Sequence, residues 1–213
     1  MLLALDMGNT NITLGLYDGE RLLLQSRMAT DRKKMVDQYA VELMDILRLY
    51  RVETAAIDGA ILSSVVPPLN HAVIGAVEKV TGVTPLLVGP GTKTGINIRI
   101  DNPAQLGADL LVGAAAAVAR VGAPCIVWDL GTATTVSVID REGAYRGGAI
   151  MPGVMTALDS LTETASLLPS ISVDAPARVI GSNTITCLQS GAVYGNAAML
   201  DGMSRRIMAE LGY

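Results

Sequence analysis

Leu5-Asp6-Met7-Gly8-Asn9-Thr10-Asn11-Ile12-Thr13 (residues 5–13) decides the architecture, because the chain carries a second version of it at residues 128–136, Trp128-Asp129-Leu130-Gly131-Thr132-Ala133-Thr134-Thr135-Val136. In each, an apolar run of β type ends in Asp-x-Gly, a small polar turn follows, and another β-type run leaves. One copy in each half of a 213-residue chain predicts two α/β domains built on the same strand–turn–strand device. An acid at a strand end beside a turn rich in backbone amides, present twice, suits a cleft that grips a phosphate chain and its cation from both sides.

Outward from the first copy, residues 2–6, 12–17 and 20–28 read as three successive strands, with turns at Gly8-Asn9 and Asp18-Gly19. Val36, Tyr39, Ala40, Leu43, Ile46, Leu47 and Tyr50 recur at helical spacing over 36–51. A strand at 57–65 ends at Pro67-Pro68, a helix at 69–81 follows, and a short strand occupies 84–88. Asn102-Pro103 reads as a helix start, with Pro at the first helical position and a helix running to Gly122. The opening then repeats, with strands near 124–129, 134–140 and 143–150 and turns at Gly131 and Glu142-Gly143. A helix at 153–166, a Pro-bounded connection at 169–180 and a final helix from Ser182-Asn183 toward Leu211, interrupted by Gly191, Gly195 and Gly202, complete the chain. Two domains with mixed sheets follow, at 1–115 and 116–213. The second lacks the later strand–helix elements of the first, so it reads as incomplete at its C-terminus.

Composition narrows the function classes. Half of the residues are apolar and 17% are charged, which argues against disorder. A net charge of -4, no Phe and a single Trp argue against nucleic acid as a partner. Cys125 and Cys187 stand in apolar segments without metal-ligand spacing, and read as reduced core residues. No apolar stretch reaches transmembrane length, and Met1–Leu5 is too short for a signal sequence. The expectation is a soluble cytoplasmic protein with no membrane partner.

Several residues can carry chemistry. Asp6 can hold Mg²⁺ through water, since that ion takes one or two carboxylates plus phosphate oxygens; alternatively it satisfies nearby amides in an Asx turn. Asp109 is the only charge in Leu106–Ala119, a helix apolar on every side, where an unpaired carboxylate is costly. It either pairs with Arg99 or Arg120, or opens onto a cavity where it accepts the proton of a substrate hydroxyl. Gly107 and Ala108 leave room beside it. The glycines of 147–153 serve close backbone packing or a helix N-terminus facing an anion. Ser182-Asn183-Thr184 caps a helix or offers Thr184 to a ligand. Gly89-Pro90-Gly91-Thr92-Lys93-Thr94-Gly95 fails as a Walker loop, because no Gly precedes the Lys in the required place and a β-type run, 96–100, follows. Lys93 is at most a weak phosphate contact. His71, the only histidine, receives no role.

Together these residues resemble one family, the type III pantothenate kinases of the actin-like/hexokinase/heat-shock ATPase superfamily. The matching segments are DMGNTNITLGLYD (6–18), ILSSVVPPLN (61–70), GPGTKTGINI (89–98), DNPAQLGAD (101–109), DLGTATTVSVID (129–140), GGAIMPG (147–153) and IGSNTITCLQSGAVYGNAAMLDGM (180–203). The resemblance implies two duplicated ribonuclease H-like (actin-like ATPase) domains, and ATP-dependent phosphorylation of pantothenate to 4′-phosphopantothenate, the first step of coenzyme A synthesis. It implies ATP phosphate contacts from Asp6, Met7, Gly8, Asn9, Thr10, Asn11, Ile12 and Thr13, with Asp6 near Mg²⁺, and a further ATP contact from Thr132. A monovalent cation, K⁺ or NH₄⁺, would sit at Asp129. Ile100, Gly107, Ala108, Asp109 and Leu110 would line the pantothenate pocket with Asp109 as base, and Thr184 would reach pantothenate across a homodimer interface. Leu110 stands where the family often has Arg, and Ile100 where it often has Tyr. The family also normally continues beyond the last residue of this chain. Two other readings stay open: another kinase or phosphohydrolase of the superfamily, and a non-catalytic transcription accessory protein that keeps the fold.

Overall fold

The structure is a computed structural model and describes residues 1–89 and 91–212. The chain divides into two compact units, Met1–Gly95 with Asp101–Ala115, and Ile96–Ile100 with Ala116–Tyr213.

The first unit opens with a meander: β1 (Leu2–Met7), β2 (Asn11–Asp18) and β3 (Arg21–Ala29), each antiparallel to the one before. α1 (Val36–Leu49) precedes β4 (Gly59–Ser64), which lies parallel to β1. After α2 (Asn70–Thr81), β5 (Leu86–Leu87) adds parallel to β4, giving the order β3-β2-β1-β4-β5. β5 is shorter than the expected 84–88, although Val88 N–H still donates to Leu62 O at 2.8 Å. Leu3, Leu5 and Met7 of β1 and Ile12, Leu14 and Leu16 of β2 are sealed, in the period-two pattern of a sheet with one face covered. Tyr39, Leu43 and Leu47 of α1 and Val73 and Val77 of α2 belong to the same core. Each fully buried leucine contributes roughly 1.5–3 kcal/mol, so these rows hold the ends of β1 and β2 in place. Asp6 and Thr13 alternate with them and fall on the opposite face.

The continuous helix expected from Asn102 to Gly122 is broken. Pro103 does take the first helical position, but Pro103–Gln105 forms only a single 3₁₀ turn, capped by Asn102 Oδ1 accepting from Ala104 N–H at 3.2 Å. Leu106 is extended at φ -67°, ψ 123°, and α3 begins at Ala108 and runs to Val121. α3 is not sealed on every side either: Leu111 and Ala114 are buried, whereas Arg120 and Val121 are exposed.

The second unit repeats the meander. β6 (Asn97–Ile98) comes from the β-type run at 96–100, and β7 (Cys125–Leu130), β8 (Ala133–Ile139) and β9 (Ala144–Pro152) follow. β7, β8 and β9 are antiparallel neighbours, β6 is parallel to β9, and the order is β6-β9-β8-β7. Two mixed sheets, each headed by the same three-strand motif, match the expected α/β class. α4 (Val154–Thr164) leaves β9 directly, and the Pro-bounded stretch contains no helix or strand before α5 (Thr184–Ser190). A π-helical turn, Gly191–Gly195, links α5 to α6 (Asn196–Leu211). Gly191 and Gly195 thus bound a widened turn instead of breaks, and Gly202 lies inside α6.

The turn between β8 and β9 is organised by Asp140, only 3% exposed. Its Oδ1 accepts from Ala144 N–H at 2.8 Å and Glu142 N–H at 3.1 Å, and its Oδ2 from Arg146 Nη1 at 3.2 Å. Burial pushes the carboxyl pKa up, but those donors outweigh it and hold the group below its ordinary 3.8. A depressed folded-state pKa means stability that is present above the ordinary value and lost as pH falls through the folded one. Asp140→Asn is therefore expected to be less stable than the parent at pH 7, with the gap closing below about pH 4. Urea unfolding across pH 2.5–7 checks this; a gap independent of pH would remove Asp140 from the acid response. Its counterpart in the first repeat, Asp18, is exposed.

The cysteines are not the core pair expected. Cys187 is exposed on α5, and Cys125 is half-buried, its thiol pushed up by burial. Among the described residues no helix is long and apolar enough to cross a membrane.

Candidate active site

The first Asp-x-Gly turn joins β1 to β2. Asp6 pairs with Thr13 and Met7 with Ile12, and Gly8 N–H donates to Asn11 O at 2.9 Å to close the four residues between them. Met7 and Ile12 are fully buried, so from these two positions only backbone can reach a ligand. Asp6, Asn9, Thr10 and Asn11 are exposed and Gly8 and Thr13 half-buried. The turn is braced from behind by the chain just after β3. Thr30 N–H donates to Thr10 O at 2.9 Å, Thr30 Oγ1 to Gly8 O at 2.7 Å, and Arg32 Nη2 to Asn9 Oδ1 at 3.2 Å. Arg32 brings a positive charge to a turn suited to anions. Neither brace was visible in the motif, because both residues follow β3 and carry no pattern of their own.

On the sheet face that carries Asp6, a cavity of about 340 Å³ is lined by Asp6, Thr13, Gly15, Tyr17, Ser63 and Val112, among others. Val112 belongs to α3, and Asp109 stands three residues earlier, one turn back on the same helix. The Asp6 turn and the start of α3 both belong to the first unit.

Asp109 lies in the first turn of α3, half-buried. Its Oδ1 accepts from Leu110 N–H at 2.8 Å, and the helix N-terminus favours its negative charge. Among the described residues it forms no ion pair with Arg99 or Arg120, so the pairing alternative is not realised. The carboxylate folds back over Gly107, where any Cβ would overlap Asp109 Oδ1. Gly107 is thus required by the position of the acid. Ala108 and Leu110 flank it, both half-buried.

The second Asp-x-Gly turn joins β7 to β8 and is one residue shorter. Asp129 pairs with Thr135 and Leu130 with Thr134, leaving three residues between, with Gly131 N–H donating to Ala133 O at 3.0 Å. Its brace repeats that of the first turn. Gly153 N–H donates to Thr132 O at 3.1 Å and Thr156 Oγ1 to the same oxygen at 2.7 Å. In both repeats a threonine hydroxyl from beyond the third strand holds a turn carbonyl. Gly153 caps α4, and a Cβ there would lie within 2.5 Å of Thr132 O and closer still to Gly131 O. For Gly153, close backbone packing accounts for the glycine. Asp129 and Thr132 are exposed.

The other predicted positions are more scattered. Ile100 packs its Cγ2 3.7 Å from the Cβ position of Gly147, in the second unit. Thr184 opens α5 and is exposed, while the cap itself is made by Asn183 Oδ1 accepting from Thr186 N–H at 2.9 Å. In the 89–95 loop Thr92 N–H donates to Gly89 O at 3.0 Å, and Pro90 lies outside the described residues. His71 lines an exposed groove with Arg32, Lys33 and Lys34.

Residues 2–206 match the family described as type III pantothenate kinase. A type III pantothenate kinase of Exiguobacterium sp. (strain ATCC BAA-1283 / AT1b) is 42% identical over 212 residues, covering 100% of this chain and 84% of that protein. Among solved structures, one named for a conserved Baf family transcriptional activator from Campylobacter jejuni superposes with a TM-score of 0.57 at 17% identity, covering 94% of this chain and 78% of that one. Another, named for a 2-dehydro-3-deoxygalactonokinase protein from Sinorhizobium meliloti, gives a TM-score of 0.51 at 12% identity, covering 92% and 78%. At such identities the solved structures speak for the fold alone. The duplicated acidic turns, the carboxylate at the head of α3 and a match across nearly the whole sequence agree: the chain belongs to the type III pantothenate kinase family.

Proposed function

We propose that the chain transfers the γ-phosphoryl group of ATP to the primary hydroxyl of pantothenate, releasing 4′-phosphopantothenate and ADP in the cytoplasm. The observation that carries this reading is the seating of Asp109, a half-buried carboxylate held by the Leu110 amide over a side-chain-free Gly107, in the same unit as the Asp6 turn. Leu110 N–H engages Oδ1, which leaves Oδ2 to accept the proton of an attacking hydroxyl. The turn's amides after Gly8, whose own N–H is engaged by Asn11 O, cradle phosphate oxygens, and Arg32 adds charge there. Phosphoryl transfer asks mainly for such positioning and charge neutralisation.

The residues fit the ions the reaction needs. Asp6 offers one exposed carboxylate beside a cavity, the number that Mg²⁺ accompanied by phosphate oxygens takes from a protein. Magnesium, when bound, offsets the negative charge of the phosphates. In the second unit Asp129 faces Thr135 across the β7–β8 pair, and Thr135 Oγ1 is buried without a hydrogen-bond partner. An orphaned hydroxyl beside a carboxylate suits a K⁺ or NH₄⁺ ion, with Thr132 contacting the nucleotide. Gly107, Ala108 and Leu110 would border the acceptor, and Thr184 would complete its site across a homodimer interface.

Coupled ADP release tests the reading. The expected result is turnover that requires pantothenate, ATP and Mg²⁺ together and rises when K⁺ or NH₄⁺ replaces Na⁺. Equal ADP release without pantothenate would instead mean a phosphohydrolase, and none under any of these conditions would mean a protein that keeps the fold without the reaction.

A further inference from the structure

Ser63 is an anomaly in the core of the first unit. It is 5% exposed, yet its Oγ has no hydrogen-bond partner. Buried hydroxyls are normally satisfied, and one that is not destabilises the fold relative to alanine. Local structure gives no reason for the hydroxyl. Its neighbour Ser64 already does the turn's work, donating to Asn70 Oδ1 at 2.6 Å and accepting from Val66 N–H at 3.1 Å. Serine is also a poor strand former compared with the β-branched residues that suit such a position.

The placement of Ser63 gives the reason. β4 is parallel to β1 with Ser63 in register with Asp6, and β2 is antiparallel to β1 with Thr13 in register with Asp6. In-register neighbours on adjacent strands share a face, about 4.8 Å apart. Thr13, Asp6 and Ser63 therefore form a row across three strands, hydroxyl, carboxylate, hydroxyl, and all three line the 340 Å³ cavity. The buried, unpartnered member of this row opens onto space beside the carboxylate.

We propose that Ser63 is a positioning residue for the magnesium–phosphate group, its Oγ hydrogen-bonding a water of the ion's hydration shell beside Asp6. A hydroxyl can accept from such a water or donate to a phosphate oxygen, whereas Cβ alone does neither. The inference rests on the kinase reading above and adds to it a residue that the Asp-x-Gly turn does not contain.

Ser63→Ala separates this role from a structural one, because removing an unsatisfied buried hydroxyl should leave the fold as stable or more so. Calorimetry with β,γ-imido-ATP, with Mg²⁺ and with EDTA, is paired with thermal unfolding of the ligand-free protein. The expected result is an affinity about tenfold weaker with Mg²⁺, within twofold of the parent in EDTA, and an unchanged or higher Tm. Affinity within twofold of the parent in Mg²⁺ overturns the inference alone. Equal losses with and without Mg²⁺, or a lowered Tm, also overturn it, since Ser63 would then act through the fold. A parent protein that binds no nucleotide overturns the kinase reading itself, and the inference with it.

Discussion

Asp109→Asn is expected to lower kcat by roughly 10²–10⁴-fold, the range for loss of a general base, while leaving nucleotide affinity near that of the parent. Asparagine keeps the shape of the side chain and an oxygen for the Leu110 amide, 2.8 Å away, but cannot take up the proton of an attacking hydroxyl. Since the interaction is made only as the hydroxyl gives up its proton, the loss should fall on kcat and kcat/KM together. Gly107→Ala supplies an independent check with the acid retained. The new methyl would overlap Asp109 Oδ1, and the short side chain can swing away at little cost in stability. A folded Gly107→Ala protein should therefore lose at least tenfold in kcat, because a misplacement near 1 Å is enough to cost about two orders of magnitude. Steady-state kinetics on both variants decide the matter. Turnover of Asp109→Asn within a few-fold of the parent would remove the carboxylate from the reaction.

Gly153→Ala should cost about 3 kcal/mol or more in the stability of the second unit, beyond ordinary overpacking. The neighbours of the new methyl would be the carbonyl oxygens of Gly131 and Thr132, backbone atoms that cannot rotate away. Relief requires moving the start of α4 off the turn, and that breaks the Gly153 N–H to Thr132 O bond at 3.1 Å and the Thr156 Oγ1 bond at 2.7 Å. The sole tryptophan reports on this unit directly. Trp128 adjoins Asp129 on β7, and its Nε1 donates to Ser204 Oγ of α6 at 3.1 Å. Urea unfolding followed by Trp128 fluorescence should show the shift, and a change under about 0.5 kcal/mol, the scale of a neutral surface substitution, would mean that α4 is not anchored on the turn. Nucleotide affinity should fall as well if Thr132, the proposed nucleotide contact, moves with the displaced turn.

What could be read from the chain beforehand tracks how local the physics is. The duplicated meander was legible because Asp-x-Gly turns and alternating apolar residues act within a few positions of one another. The helix expected at 102–122 is broken because Asn102 and Pro103, a good helix start by sequence, serve a 3₁₀ turn that ends before Gly107. α3 is less buried than its alanines suggest for a related reason: composition does not reveal how many sides of a helix a neighbour covers. Cys187 shows the same limit, lying exposed although its segment is apolar. Asp6, Asp109 and Asp129 stood out as acids in apolar surroundings, whereas Thr30, Arg32, Ser63 and Thr156 did not. Thr30, Arg32 and Thr156 hold their turns through bonds to groups brought near by the chain after a strand, and Ser63 stands beside Asp6 through strand pairing; no spacing in the sequence encodes either.

The assignment of Ile96–Ile100 to the second unit bears on how the protein can be cut. β6 pairs with β9 at Ala144 and Tyr145, and Arg99 N–H donates to Tyr145 O at 2.8 Å. A fragment starting at 116 would leave those backbone groups bare on an outer strand, a ready template for self-association. A C-terminal half divided off at the midpoint of α3 should therefore tend to clump by itself, and a fragment meant to stand alone would need the 96–100 segment supplied along with it.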